Sequence, residues 1–447
     1  MTITEATQSD LNLKPYFMGF TPNKLFKQRP RLFVEARGSY LFGPNGEKVF
    51  DGFSGLWCSG MGHCHPKIVE AVSRQIGKLD YVAAFNMSHP SAFQLAERIA
   101  GLAPKSLNNV FFTTGGSDAV DTALKIAVGY HRLNGDGTRY RIIGRERGYH
   151  GVGFGGISVG GMVANRQMFA SLMLPGVDHL RHTHSLPDMA FSRGQPTWGA
   201  DLAADLERLV ALHDASSIAA VIVEPMAGST GVLVPPVGYL EALRRICTQH
   251  GILLIFDEVI CGFGRMGHNF GAQRFNVEPD MITFAKSVTN GTQPLGGVII
   301  SDEINNTFMK APEQASNINH GYTYSAHPVP VAAGLAALDV FEEEGVAEQV
   351  RSKEKLFEEL LHSLKGEPNV VDVRNIGFAG GVEFAPIPGQ PTARGYRITE
   401  QLLDAGFYTR WAGDNATLAP PFSSTASELE QMIEAMRKVI RANATAA

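Results

Sequence analysis

Two short apolar runs that each end on a charge constrain the fold more than any other feature of this 447-residue chain. Residues 252–256 read ILLIF and run straight into Asp257 and Glu258, while 281–285 read MITFA and stop at Lys286. An uninterrupted apolar pentapeptide is the pattern of a parallel strand buried on both faces. Strand alternation sets Asp257 on the face of Ile255 and Val259, and a carboxylate there is costly to bury unless a cationic group meets it. In open α/β sheets ligands sit beyond the carboxyl ends of the strands, where both Asp257 and Lys286 are expected.

A lysine and a carboxylate facing one crevice are what pyridoxal phosphate chemistry requires. The amine condenses with the cofactor's aldehyde, and a carboxylate against the pyridine nitrogen keeps the ring protonated as an electron sink. Taken singly, Lys286 reads as a solvated lysine and Asp257 as a strand-end acid. Their pairing at two strand ends points to the cofactor.

Composition excludes several other classes. A net charge of -5 with 19% charged residues leaves no basic footprint for nucleic acid. No run of about 18 apolar residues suggests a membrane span. The N-terminal MTITEATQSD has neither a basic start nor an apolar core, so no signal peptide is expected and the cytoplasm is the default. A chain of this length exceeds one core and predicts two domains. Cys58, Cys64, Cys247 and Cys261 are too few and scattered for a disulfide framework. Cys58, His63, Cys64 and His65 could in principle hold zinc, but their spacing matches no finger or ribbon and no second ligand pair follows. No metal is expected.

In chain order, a short helical or extended arm gives way to short strands at 31–36, 39–42 and 48–51, the last two joined by the turn Pro44-Asn45-Gly46-Glu47. From about Gly60 the pattern becomes α/β. A helix over 91–103 stops at Pro104, and a strand over 110–114 breaks at Gly115-Gly116-Ser117-Asp118 to open a helix. A glycine turn at a helix start offers free N–H groups and a positive dipole end to an anion, so Gly116 and Ser117 are candidates for holding phosphate. Gly151 to Gly156 fit the dinucleotide pattern G-x-G-x-x-G, but 145–150 intervene after the strand and 157–161 make a poor helix. A strand over 219–223 ends at Glu224, and one over 297–300 follows Lys286. Helices over 331–344 and 348–364 and one capped by Thr425 and Glu428 then alternate with strands at 370–373, 381–384 and 407–409, after which 411–414 read as a mobile loop.

The segments IFDEVICGFGRMG and ITFAKSVTNG, with GLWCSGMGH, FFTTGGSD, RGYHG, VIVEPMAGSTG, HGYTYSAHP and RWAGD, resemble class III aminotransferases over nearly the whole chain. Within that class the chain most resembles the ω-aminotransferases of the β-alanine:pyruvate type. The resemblance implies fold type I of the pyridoxal-phosphate-dependent transferases: a large domain over 60–328 with a mostly parallel central sheet, and a smaller α+β domain from 1–59 and 329–447. It implies a homodimer, or a dimer of dimers, acting on small amines and keto acids.

The same resemblance makes Lys286 the catalytic lysine and Asp257 the partner of the pyridine nitrogen. It sets Tyr149 flat on the ring with Val259 on the other face, Glu224 at the cofactor's edge, and Thr323, lent by the second subunit, on the phosphate. Arg410 would bind the substrate carboxylate through its two-pronged guanidinium, with Trp57, Phe20, Phe85 and Tyr149 lining the apolar remainder. Gly115 and Asp118 stand where relatives more often carry Ser and Glu, and Thr417 where they carry Gln. The activity implied is transfer of an amino group from an ω-amino acid or primary amine to pyruvate. An aminomutase or decarboxylase of the same class, or an NAD-dependent dehydrogenase resting on Gly151 to Gly156, is the alternative.

Overall fold

The charge-terminated runs form adjacent strands at the centre of the largest sheet. The computed structural model describes residues 11–444, so the N-terminal decapeptide lies outside it. Three short strands come first, β1 (Glu35–Arg37), β2 (Tyr40–Phe42) and β3 (Lys48–Asp51). Seven follow: β4 (Leu107–Thr113), β5 (Arg141–Arg145), β6 (Val177–Leu180), β7 (Ile218–Val223), β8 (Leu253–Asp257), β9 (Met281–Phe284) and β10 (Gly296–Ser301). The last are β11 (Val370–Ile376), β12 (Ala379–Phe384), β13 (Phe407–Tyr408), β14 (Arg410–Ala412) and β15 (Asn415–Leu418).

The middle seven pair in the order β4-β10-β9-β8-β7-β5-β6. Every pairing from β9 to β6 is parallel, whereas β10 runs antiparallel to both β9 and β4. The reversal has a local cause. Parallel neighbours need a long crossover, but β9 and β10 are joined through only 285–295, whose one regular element is the single turn Lys286–Thr289. Every residue of β7, β8 and β9 is buried, as their unbroken apolar sequences require. One face is covered by the helix Gly116–Leu133, whose Ala119, Ala123 and Ala127 pack with Ile222 and Ile255. The helix Tyr239–His250 covers the other with Leu240, Leu243 and Cys247.

The remaining strands make two four-stranded sheets, β1-β2-β3-β13 and β11-β12-β15-β14. Strand β13 pairs in parallel with β3, Phe407 opposite Phe50, so a C-terminal strand completes an N-terminal sheet. Helices Val346–His362 and Ala426–Ala442 contribute Phe357 and Leu361, and Met432 and Ile433, to a core shared with Phe378 and Val382. The predicted capping box of Thr425 and Glu428 is present. Among the described residues no helix is long and apolar enough to cross a membrane.

Two local expectations are corrected. Residues 411–414 are not an irregular loop: they are the end of β14 and the turn of the tight hairpin β14–β15, with Arg410 opposite Thr417 and Ala412 opposite Asn415. Asp414, at its turn, accepts from the backbone N–H groups of Thr392 (2.9 Å), Arg394 (3.1 Å) and Gly395 (3.2 Å), tying the hairpin to the start of the helix Ala393–Asp404. The second correction is a short helix, Phe154–Val159, whose last three residues fall in the stretch 157–161 read as a poor helix former. The dinucleotide reading still fails, because this helix does not open directly from β5, and the Gly156 N–H is spent on Asp121.

Candidate active site

Strands β7, β8 and β9 deliver Glu224, Asp257 and Lys286 to one cavity of about 130 Å³. Gly116, Ser117, Tyr149 and Val259 line the same cavity, so seven of the residues singled out in the sequence meet there. His150, Gly151 and Ile260 complete its walls.

Asp257 is held on both oxygens. His150 Nδ1 lies 2.8 Å from Oδ2, while the Thr283 hydroxyl donates to Oδ1 at 3.0 Å and the Val259 N–H at 3.2 Å. His150 is the partner that a buried carboxylate at this position demands. Sequence reasoning passed over it, though it sits next to Tyr149 in Gly-Tyr-His-Gly. Its Nε2 is buried without a partner.

Lys286 adopts a left-handed backbone conformation, φ 53°, which a residue with a side chain keeps only where its surroundings enforce it. Those surroundings come from the stretch considered for zinc. Ser287 donates to the Trp57 carbonyl at 3.3 Å, and the Asn290 side chain bonds both Met61 N–H (2.9 Å) and Gly62 carbonyl (2.6 Å). The histidines of that stretch are engaged elsewhere: His63 with Asp51 at 2.7 Å and His65 with Glu344 at 3.0 Å. Burial pulls the Lys286 amine below the ordinary lysine range, against the raising influence of Cys58, Asp257 and Glu224. Burial pushes the Glu224 carboxyl up, even though Tyr149 N–H (2.9 Å) and Gly228 N–H (3.0 Å) donate to it.

The glycine turn forms the opposite end. A side chain on Gly116 would strike Val259, and Gly151, at φ +94°, brings its backbone against Ser117 so closely that a Cβ would lie 2.6 Å from the hydroxyl. Val152 N–H donates to that hydroxyl at 3.1 Å. The Thr114 hydroxyl donates to Asp118, so the acid standing in place of glutamate bridges the turn.

The remaining candidates lie outside this cavity. Trp57 is buried, 4.9 Å from the Phe53 ring, and Arg265 sits 5.7 Å from its indole. Arg410 is half-buried on β14, and its charge opposes the upward push that burial, Asp257 and Glu224 exert on the Tyr149 phenol. Thr417 is not a lining residue: it is 2% exposed, and its hydroxyl donates to the Arg410 carbonyl at 2.6 Å, so it fixes the hairpin behind the arginine. Phe20 and Phe85 are 64% and 54% exposed. Thr323 is also exposed, its carbonyl accepting from Tyr81 at 3.1 Å.

Comparison with known proteins agrees with this geometry. The family described as Aminotransferase class-III matches residues 25–440. An omega-aminotransferase of Caulobacter vibrioides is 52% identical over 429 residues, 96% of this chain and 98% of that one. A beta-alanine--pyruvate aminotransferase of Pseudomonas aeruginosa is 50% identical over 443 residues, 98% of each. The structure of an omega transaminase from Pseudomonas jessenii in complex with PMP matches with a TM-score of 0.91 at 29% identity, covering 97% of each chain. The chain belongs to the class III aminotransferases, and so to the fold type I enzymes that depend on pyridoxal phosphate. The residues present suit that group: an amine for its aldehyde, a fixed carboxylate for its ring nitrogen, and a helix start with a close-packed glycine turn for its phosphate.

Proposed function

We propose that this aminotransferase moves the amino group of an ω-amino acid or primary amine, β-alanine among them, to pyruvate. The names of the relatives from Caulobacter and Pseudomonas support the donor and acceptor classes. The observation that carries the reading is the convergence of Lys286 and Asp257 on one cavity, with the charge of Arg410 felt at Tyr149.

Pyridoxal phosphate, when bound, supplies an electrophilic carbon for the amino group and a ring that withdraws electrons from it. The chain's own groups do the rest. Lys286 would hold the cofactor until an incoming amine takes its place; its freed amine would then carry a proton to and from the substrate, and its depressed basicity suits that task near neutral pH. Asp257, braced by His150 and Thr283, would keep a proton on the ring nitrogen. Tyr149 and Val259 would flank the ring, Glu224 would meet its edge, and the N–H groups at Gly116 and Ser117 would hold the phosphate. Arg410 pairs with the substrate carboxylate, backed by Thr417, while Trp57, Phe20 and Phe85 supply apolar wall.

Thr323 belongs to the phosphate site of a second copy. Its exposure outside its own chain's cavity, with Tyr324 60% exposed beside it, supports a homodimer or a dimer of dimers. We take 60–328 as the cofactor domain and 1–59 with 329–447 as the smaller one, a grouping supported by the pairing of β13 with β3. All four cysteines are free, which suits a cytoplasmic enzyme.

The test is a panel of donors with pyruvate, read on wild type and Arg410→Ala as separate half-reactions. Arg410→Ala should lose about 2 kcal/mol or more for pyruvate and β-alanine, the scale of a hydrogen-bonded charge pair, and little for an uncharged aryl-alkyl amine. Equal losses for both kinds would overturn the assignment of Arg410. No amino transfer from any donor to pyruvate would overturn the substrate reading.

A further inference from the structure

Arg374, nearly fully buried on β11, uses every nitrogen of its guanidinium. Nε donates to the Gly231 carbonyl at 2.9 Å, one terminal nitrogen to Asn415 Oδ1 at 2.6 Å, and the other to Asp372 and to Glu383, the latter at 2.6 Å. Among the described residues, His184, Asp372 and Glu383 form the one group whose ligand atoms lie within 4.8 Å of one another and could hold a metal ion. The guanidinium already fills that place, since both carboxylates bond to it.

Its two other partners belong to segments that the chemistry needs in register. Gly231 lies in the turn of the loop that follows Glu224. That loop is tied to the cavity wall by Gly228 N–H on Glu224 and by the Thr230 hydroxyl on the Arg147 carbonyl at 2.8 Å, two residues before Tyr149. Asn415 opens β15 and closes the hairpin through a 3.0 Å bond to the Ala412 carbonyl, two residues beyond Arg410. Net stability is a poor reason for such a network, because replacing a buried ion pair with apolar groups is often neutral or stabilising. What a guanidinium adds is a rigid planar fork that fixes the distance between its acceptors.

We propose that Arg374 is a positioning residue for carboxylate recognition, holding the Arg410 hairpin at a fixed separation from the loop that carries Glu224 and backs Tyr149. The proposal rests on Arg410 being the carboxylate partner. Loosening the clamp should therefore weaken substrates that carry a carboxylate and spare those that do not.

Two variants of the holoenzyme test this. Arg374→Lys keeps the charge and loses the fork, while Asn415→Ala cuts the arm to the hairpin together with the bond to the Ala412 carbonyl. In each, KM for pyruvate and the calorimetric dissociation constant of propionate, an unreactive carboxylate, should rise about tenfold, with the aryl-alkyl amine half-reaction within about twofold of wild type. An unchanged propionate affinity in Asn415→Ala overturns the proposal, as does an equal fall for both kinds of substrate. If Arg374→Lys does not fold, Asn415→Ala decides alone, and failure of both to fold means a purely structural network. Arg410→Ala run alongside separates the premises. Should it leave propionate binding intact, the reading of Arg410 falls; should it alone weaken propionate, only the role of Arg374 falls.

Discussion

Lys286 and Asp257 were legible because chemistry and strand pattern agreed on them: each is a charge at the end of an apolar run, and each reaches the cavity. Lys286→Ala removes nucleophile and proton carrier together. Turnover should fall by at least about 10²–10⁴, the range of general acid–base catalysis alone, while cofactor is still retained through the helix start. Turnover within tenfold of wild type would contradict the assignment. His150 was not legible, since a histidine after a tyrosine carries no periodic signal and its role exists only where β5's outgoing loop crosses β8. His150→Phe deletes a hydrogen bond to a charged acceptor, worth about 1.5–3 kcal/mol. The amine half-reaction should slow accordingly, through Asp257, and an unchanged rate would show that Thr283 suffices.

At the scale of elements, the hairpin β14–β15 escaped the sequence because its strands are three and four residues long and Gly413-Asp414 reads as a loop signal. Its order comes from pairing with β12 and from Asp414, contacts distant in sequence. Asp414→Ala should destabilise by about 0.5–2 kcal/mol, as lost helix-start acceptors do, measured by urea unfolding. The clamp beneath the hairpin has its own pH signature. Although burial opposes it, bonding to His184 and Arg374 holds the Glu383 carboxyl down at about 2, against an ordinary 4.5. A depressed acid contributes stability that is complete above its unfolded pKa and fades as pH falls from about 4.5 toward about 2. Glu383→Gln should accordingly lose stability at pH 7 and show a shallower decline through that acid window. Parallel acid limbs for the two proteins would assign the effect elsewhere.

For the whole molecule, the central sheet followed from hydropathy, but how the site closes did not, because the residues we assign to its completion lie on surfaces that a single chain leaves exposed. Thr323 and Phe85 are outside the cavity formed by their own chain. If each site takes Lys286 from one subunit and Thr323 from the other, two inactive variants can repair each other. Lys286→Ala alone lacks the lysine in both sites, and Thr323→Asp sets a like charge against phosphate in both. In a mixed dimer one site combines the intact Lys286 of one subunit with the intact Thr323 of the other, and the second site carries both defects. Random pairing on coexpression makes half the dimers mixed with one working site each, so activity should return to about a quarter of the wild-type value per total protein. Activity no higher than the sum of the two variants alone would mean that Thr323 serves its own chain or none, and would remove the structural reason for assigning the enzyme a shared site.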